Sequence, residues 1–453
     1  MSSLTIPGLG TPSVPTKPRL HRRTLDNGLN VIAIRRPSVP MVELRLRIPA
    51  PITSASLLAR STLWSETMLK GTESYDDHQL EQAIGSLGGQ LNVGTDRDKM
   101  LVGGSALAER LGDYLALLAE VLGTATYPKG DVEDERGRLG EHLVMAGSNA
   151  GTTAAKAISA KLYGAHPYSR VLPEPDEVLG VSAAQVRSLH RSRVLPDGAV
   201  LVLVGDLQPR RALDLAESAL STWTGTGKAA RVPKVHFAPS PTITVVDRPG
   251  SVQSSIRFGM PALGREDPAY AAQQVANMLF GGYFSSRLVA NLREDKGYTY
   301  TPRSGVDLGR EASVLTVSAD VSTDVTAAAV NEIRYELGRL ASTLSSDDEL
   351  ENARQYLIGS TLIGLSSQSG LAGTTANLEA HGLGLDWLAQ HQKAVAAVTA
   401  DEVRQVAEAG ITPAAARIVV VGDAERIETE LSTQGPLEHA SLHIPDGRQK
   451  EQQ

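Results

Sequence analysis

The sequence predicts an α+β protein made of two homologous domains, each a mixed or antiparallel sheet packed with helices. The main observation is an internal repeat. Val181-Ser182-Ala183-Ala184-Gln185-Val186-Arg187 is matched by Val398-Thr399-Ala400-Asp401-Glu402-Val403-Arg404, and Val204-Gly205-Asp206 by Val421-Gly422-Asp423, both at a shift of 217 residues. Two matches in one register, each in the same helix or strand context, mean two copies of a large unit rather than a solenoid of short repeats. The second observation is size, since 453 residues exceed what one hydrophobic core commonly supports.

The elements of the first copy follow in order. Leu25-Asp26-Asn27-Gly28-Leu29 sets Asn-Gly between apolar runs, a hairpin signal because both central residues of such a turn need positive φ. Met41 to Ile48 alternates apolar and polar residues, as a half-buried strand does. A helical stretch runs from about Ala55 to Leu69 and leads into Lys70-Gly71-Thr72, and a second covers Asp77 to Leu87. Gly88-Gly89 then opens a pair of strands. Leu107, Leu111, Leu115, Leu118 and Leu122 recur at helical spacing, and Asp131 is placed to cap a helix reaching about Met145. Val200 to Asp206 reads as a buried strand and its turn. The resulting division is a tail over 1–20, a first domain over 21–224, a linker over 225–240, a second domain over 241–433 and a tail over 434–453. The linker assignment rests on Gly225, Gly227, Lys228, Pro233 and Pro239. Both tails are expected to be flexible, and the first has no apolar run of the kind a signal peptide or anchor needs.

Composition narrows the function. Hydrophobic content of 41% and charge of 21% are those of an ordinary globular protein. The net charge of −7 carries no basic block, which argues against nucleic acid or an anionic membrane as partner. No stretch reads as a transmembrane span. The absence of cysteine excludes disulfides, thiolate metal sites and cysteine nucleophiles, and fits a reducing, cytoplasmic location.

One stretch stands out chemically. After Gly281, Gly282, Ser285 and Ser286 comes Leu292-Arg293-Glu294-Asp295-Lys296-Gly297-Tyr298-Thr299-Tyr300. An arginine offers five fixed donors to a carboxylate or peptide carbonyl, and a tyrosine hydroxyl donates to a developing oxyanion. Arg293 and Tyr300 are the leading candidates, with Tyr298, Gly281 and Gly282 beside them as substrate-binding candidates.

The chain resembles a known family over nearly all of residues 21–433. The pieces are the Leu-Asp-Asn-Gly-Leu opening, Glu66-Thr67-Met68-Leu69-Lys70-Gly71-Thr72, Leu87-Gly88-Gly89-Gln90-Leu91-Asn92 and Gly164-Ala165-His166-Pro167-Tyr168-Ser169. In that order they are similar to the pitrilysin/insulinase family of metallopeptidases, in the short-chain branch that includes mitochondrial processing peptidase and bacterial heterodimeric peptidases. The resemblance implies a helix-borne H-x-x-E-H motif just before Lys-Gly-Thr, with two zinc-binding histidines and a glutamate that activates water. The corresponding positions are Thr62, Ser65 and Glu66, and the downstream third-ligand position falls at His142. These residues do not make a zinc site, so none is expected in this chain.

The resemblance also implies an L-R-x-x-x-G-x-x-Y motif in the second half, and Leu292, Arg293, Gly297 and Tyr300 match it position by position. In that reading Arg293 anchors the substrate's backbone carbonyl or carboxylate and Tyr300 stabilises the tetrahedral oxyanion. The implied role is the zinc-free, substrate-anchoring subunit of a heterodimeric metalloendopeptidase, inactive alone, with zinc in a homologous H-x-x-E-H partner and an unfolded peptide or leader segment as substrate. The alternative is a structural or regulatory homologue that binds proteins or peptides without cleaving them. A third arrangement is a homodimer with an unorthodox metal on Glu66 and His142. Among the other histidines, His439 and His443 are four apart in a polar tail with no glutamate at the base position, and His166 reads as part of a structural turn.

Overall fold

A computed structural model describes residues 18–225, 227, 230–237 and 240–440. Twelve strands are present among them: β1 Leu20–Thr24, β2 Asn30–Arg35, β3 Met41–Pro49, β4 Gln90–Thr95, β5 Lys99–Leu107, β6 Val200–Gly205, β7 Ile243–Asp247, β8 Gln253–Ala262, β9 Arg303–Leu308, β10 Ser313–Ser322, β11 Arg417–Gly422 and β12 Leu437–His439. They form two six-stranded sheets in the orders β1-β2-β6-β3-β5-β4 and β12-β7-β11-β8-β10-β9. From the second position onward the orders are the same, which is the predicted duplication seen in space. In each sheet the late strand of the copy inserts beside the first, β6 parallel to β2 and β11 parallel to β7. Each late strand is also antiparallel to the next, β6 to β3 and β11 to β8.

The matched segments sit where their sequence chemistry requires. Ser182 and Thr399 each cap a helix and close a capping box, with Gln185 and Glu402 three residues on. β6 and β11 are buried along their whole lengths, which explains their unbroken apolar runs. β3 alternates half-buried and buried residues as its pattern predicts. Gly28 takes φ +88° in the turn between β1 and β2, and the Asn27 side chain donates to the carbonyls of Leu220 and Trp223.

Each sheet has an inner face packed on helices of its own half and an outer face covered from the other half. On the first sheet, Val31, Ala33, Leu201 and Leu203 face the first core, with Leu63, Trp64, Leu115 and Leu118. Ile32, Ile34, Val200, Val202 and Val204 instead meet Leu371, Ala372, Ala376 and Leu378 from the second half's helix Gln368–Glu379. Reciprocally, Ala154, Ala157, Ile158 and Leu162 of the first half's helix Ala150–Tyr163 cover Val246, Val314, Val419 and Val421 of the second sheet.

A polar clasp ties the halves together beside this packing. Asp98, 8% exposed, accepts the Tyr168 hydroxyl and, at 3.1 Å, the Arg310 backbone N–H from the turn between β9 and β10. Arg97 lies over the Tyr168 ring at 4.6 Å and pairs with Asp307 at 2.9 Å. His166 accepts the Tyr168 amide on Nδ1 and donates from Nε2 to the Pro233 carbonyl at 2.9 Å, so His-Pro-Tyr is the structural turn expected and also fastens the segment between the halves.

Several boundaries differ from the sequence expectation. Leu107 ends β5, and the helix begins at Leu111. Asp131 lies in the first turn of the helix Lys129–Gly147, whose cap position is Pro128; there its charge favours the helix N-terminus without capping it. The stretch from 434, expected to be a flexible tail, includes β12, which pairs parallel with β7. Leu437 packs on the second core and Glu438 pairs with Lys161 at 2.7 Å, long-range contacts that a short polar stretch does not advertise. At the other end Leu20 opens β1, so ordered structure begins inside the 1–20 stretch. The expectations for residues 1–17, Lys228, Pro239 and His443 lie outside the described residues. No described segment of 225–240 forms a helix or strand, and no helix among the described residues is long and apolar enough to cross a membrane.

Candidate functional site

Thr62, Ser65 and Glu66 lie on the helix Ala55–Thr67, which Ser54 caps through the Leu57 amide. All three line a cavity of about 780 Å³ between the halves. Its walls include Val93, Gly94 and Thr95 of β4 and Arg303, Asp307 and Leu308 of β9, so the free edges of both sheets open into one space. The hydroxyl of Thr62 donates to the Leu58 carbonyl at 2.9 Å and that of Ser65 to the Thr62 carbonyl at 2.7 Å. Both are turned back on their own helix, a habit of Ser and Thr in helices. His142 is exposed on the helix Lys129–Gly147 and is not part of the cavity wall. Nearby, Glu135 is engaged by Lys70 at 3.2 Å and Arg138 at 3.0 Å. Two hydroxyls spent within a helix, one carboxylate and a distant imidazole do not fit zinc. Among the described residues no group of three His, Asp or Glu is placed to hold a metal ion.

Arg293 and Tyr300 are brought together, on a different surface. Arg293 lies in a π-helical segment, Ala290–Asp295, that ends where Gly297 adopts φ +65°. A left-handed residue there lets the chain turn back, and the Tyr298 amide donates to the Leu292 carbonyl at 2.8 Å. The reversal places the Tyr300 ring 4.6 Å from the Arg293 guanidinium carbon. Phe284 approaches the same carbon at 4.7 Å, so two rings stack against one guanidinium. Arg293 Nε meets Glu294 at 3.2 Å, and the two terminal nitrogens have no partner among the described residues. Tyr300 is 76% exposed and its hydroxyl makes no hydrogen bond among the described residues. The arrangement offers two guanidinium nitrogens and one phenol to whatever approaches this face. Neither residue lines the cavity that holds Thr62 and Glu66.

The remaining candidates sit apart. Tyr298 is half-buried against the second core. Gly281 and Gly282 lie in the π-helical segment Met278–Gly282, where a Cβ would stand 2.8 Å from Ser304 Oγ and 2.5 Å from Met278 Cε respectively. That closeness accounts for both glycines by packing. Phe284 was not singled out by sequence, although an aromatic ring nine positions before Arg293 in a chain with 4% aromatics was an available signal.

The geometry defines a chain of two α/β halves, each a six-stranded mixed sheet packed with helices, and comparison with known proteins agrees with that fold. Residues 60–176 match the family model described as Insulinase (Peptidase family M16), and residues 180–357 the model described as Peptidase M16 inactive domain. The chain belongs to the insulinase family of peptidases. An uncharacterized zinc protease of Streptomyces coelicolor is 24% identical over 401 residues, 86% of each chain. Subunit 1 of the bovine mitochondrial cytochrome b-c1 complex is 26% identical over 271 residues, 57% of this chain and 55% of that protein. Among solved structures, a protease from Helicobacter pylori superposes with a TM-score of 0.82 at 18% identity, over 89% of this chain and 99% of that one. A peptidase M16 inactive domain from Pseudomonas fluorescens gives 0.79 at 22% identity, over 89% and 98%.

Proposed function

We propose that this chain is the zinc-free, substrate-binding subunit of a heterodimeric metallopeptidase that cleaves peptides or leader segments. The observation that carries the reading is the contrast within one molecule. The metal helix bears Thr62, Ser65 and Glu66, while a half-buried Arg293 with two free terminal nitrogens lies beside the exposed Tyr300 on another face. A homologous subunit would bring the metal site on its own H-x-x-E-H helix. Arg293 would hold a substrate carbonyl or carboxylate in the plane of its guanidinium, and the Tyr300 hydroxyl would donate to the oxyanion as the peptide carbon becomes tetrahedral. An extended peptide has free sheet edges to pair with.

The test is peptidase activity of this chain, of its H-x-x-E-H homologue from the same source, and of the two mixed. Activity only in the mixture, abolished by a chelator, supports the reading. In that mixture Tyr300→Phe should lower kcat about 100-fold, the scale of losing one oxyanion donor, and Arg293→Ala should chiefly raise KM. Full activity of the homologue alone would instead favour the scaffold alternative, for which the similarity to the cytochrome b-c1 subunit is the specific precedent.

A further inference from the structure

Arg293 carries the substrate contact in the reading above, so what holds Arg293 in place has consequences. A free arginine side chain on a helix surface samples many rotamers, and ordering it on binding costs affinity. Here the guanidinium carbon lies 4.7 Å from the Phe284 ring and 4.6 Å from the Tyr300 ring. Guanidinium faces are poorly hydrated and stack well on rings, while hydrogen bonding is confined to the plane. With two rings stacked against the guanidinium and Nε turned to Glu294, the terminal nitrogens form the remaining free edge.

The ring of Phe284 is itself held on a fixed loop. Tyr283 has extended backbone and its ring packs on Tyr356, with centroids 5.0 Å apart. On the other side, the amide of Ser286 donates to the Tyr283 carbonyl, and Arg287 forms a two-pronged ion pair with Glu349 at 3.0 Å on both arms. Phe284 is 63% exposed between these anchors, so its place in the apolar core does not explain it. Stacking on Arg293 does.

We propose that Phe284 is a positioning residue for Arg293. Together with Tyr300 it clamps the guanidinium and presents its free edge to a planar acceptor, a peptide carbonyl or a carboxylate. The proposal rests on Arg293 being the substrate anchor, and its test therefore has two arms.

The first arm needs neither partner nor substrate. In the isolated chain with isotope-labelled arginine, the Arg293 Hδ and Hε resonances, assigned by their loss in Arg293→Lys, should be displaced by ring current. Phe284→Leu, which keeps apolar bulk, should shift them toward free-arginine values and raise side-chain mobility, while Phe284→Trp should preserve the displacement. Unchanged resonances and mobility in Phe284→Leu would overturn the proposal.

The second arm uses the active mixture of the two subunits. Phe284→Leu should raise KM about two- to five-fold, the range of one exposed cation–π contact, with kcat changed less, and Phe284→Trp should restore KM. In an Arg293→Ala background Phe284→Leu should have no further effect. A KM increase that persists in that background would assign Phe284 to subunit docking or packing and overturn the proposal. If Arg293→Ala leaves KM unchanged, the substrate-anchor reading fails, and the resonance arm still decides whether Phe284 holds Arg293.

Discussion

Replacing Tyr168 by Phe removes one oxygen from the clasp between the halves and leaves the ring under Arg97, so it isolates the contacts of one hydroxyl. The Tyr168 hydroxyl donates to Asp98 Oδ1, and the Glu311 amide reaches the same hydroxyl oxygen at 3.4 Å. Burial and then the Asp98 charge push the Tyr168 hydroxyl above its ordinary range, so it is a donor at any working pH. In the variant the Asp98 carboxylate, 8% exposed, keeps the Arg310 amide at 3.1 Å and Arg97 at 3.8 Å but loses its phenol. A hydrogen bond to a charged group contributes about 1.5–3 kcal/mol. Water has little access to replace it, so about 2 kcal/mol is expected, a roughly 30-fold shift toward forms in which the halves have parted. Urea unfolding followed by circular dichroism gives the overall loss. Limited proteolysis of the 225–240 segment reports parting of the halves and should speed up by a similar factor. An unchanged urea midpoint together with an unchanged cleavage rate would show that the clasp does not hold the halves, and the geometric argument would fail.

Two other expectations can be checked by the same unfolding assay. The repeated Val-Gly-Asp turns should respond unequally to alanine: a Cβ at Gly205 would stand 2.2 Å from the Met41 carbonyl oxygen, whereas at Gly422 it would meet the Ser254 hydroxyl at 2.5 Å. Backbone does not yield easily and a side chain does, so Gly205→Ala should cost about 3 kcal/mol and Gly422→Ala about 1 kcal/mol; equal or reversed costs would contradict the packing. Burial pushes the His190 imidazole below its ordinary range, where it accepts the Tyr127 hydroxyl at 2.6 Å and donates to the Leu122 carbonyl at 2.9 Å. Below about pH 6.5 the unfolded chain takes up a proton that the folded chain resists, so stability should fall with pH by up to about 1.4 kcal/mol per unit. His190→Gln should flatten that slope between pH 6.5 and 5, and an identical slope would remove His190 as its source.

What the sequence made legible is what local chemistry decides. Capping boxes at Ser182 and Thr399, the alternation of β3 and the unbroken runs of β6 and β11 each signal their element. Their shared offset gives the duplication. The pairing of Arg293 with Tyr300 was expected from the resemblance to the L-R-x-x-x-G-x-x-Y motif, and the left-handed Gly297 supplies the reversal between them. That Thr62 and Ser65 turn their hydroxyls back on their own helix was not read from the sequence, although the habit belongs to those residue types. Other features depend on contacts far along the chain. Unbroken apolar runs say that both faces of β6 and β11 are covered, but not that the cover over Val202 and Val419 comes from the other half. His142 was reached by counting positions, and counting cannot show that its side chain leaves the cavity. β12 is short and mostly polar, and its pairing with β7, Leu437 on the core and Glu438 on Lys161 are contacts with distant parts of the chain. Phe284 escaped notice because its partner, Arg293, is brought near by a loop and two irregular helical segments.

The exchange of covering helices between the halves has a consequence for how such a chain could arise. A half-length protein with this fold would leave Ile32, Ile34, Val200, Val202 and Val204, or their counterparts Val246, Val314, Val419 and Val421, open to water. It would also carry a helix with no sheet of its own to cover. Two identical copies satisfy both needs at once, each lending a helix to the other's sheet, as symmetric pairs formed by swapping do. The segment around 225–240 turns that pairing into an intramolecular one. Once joined, the copies no longer have to remain alike.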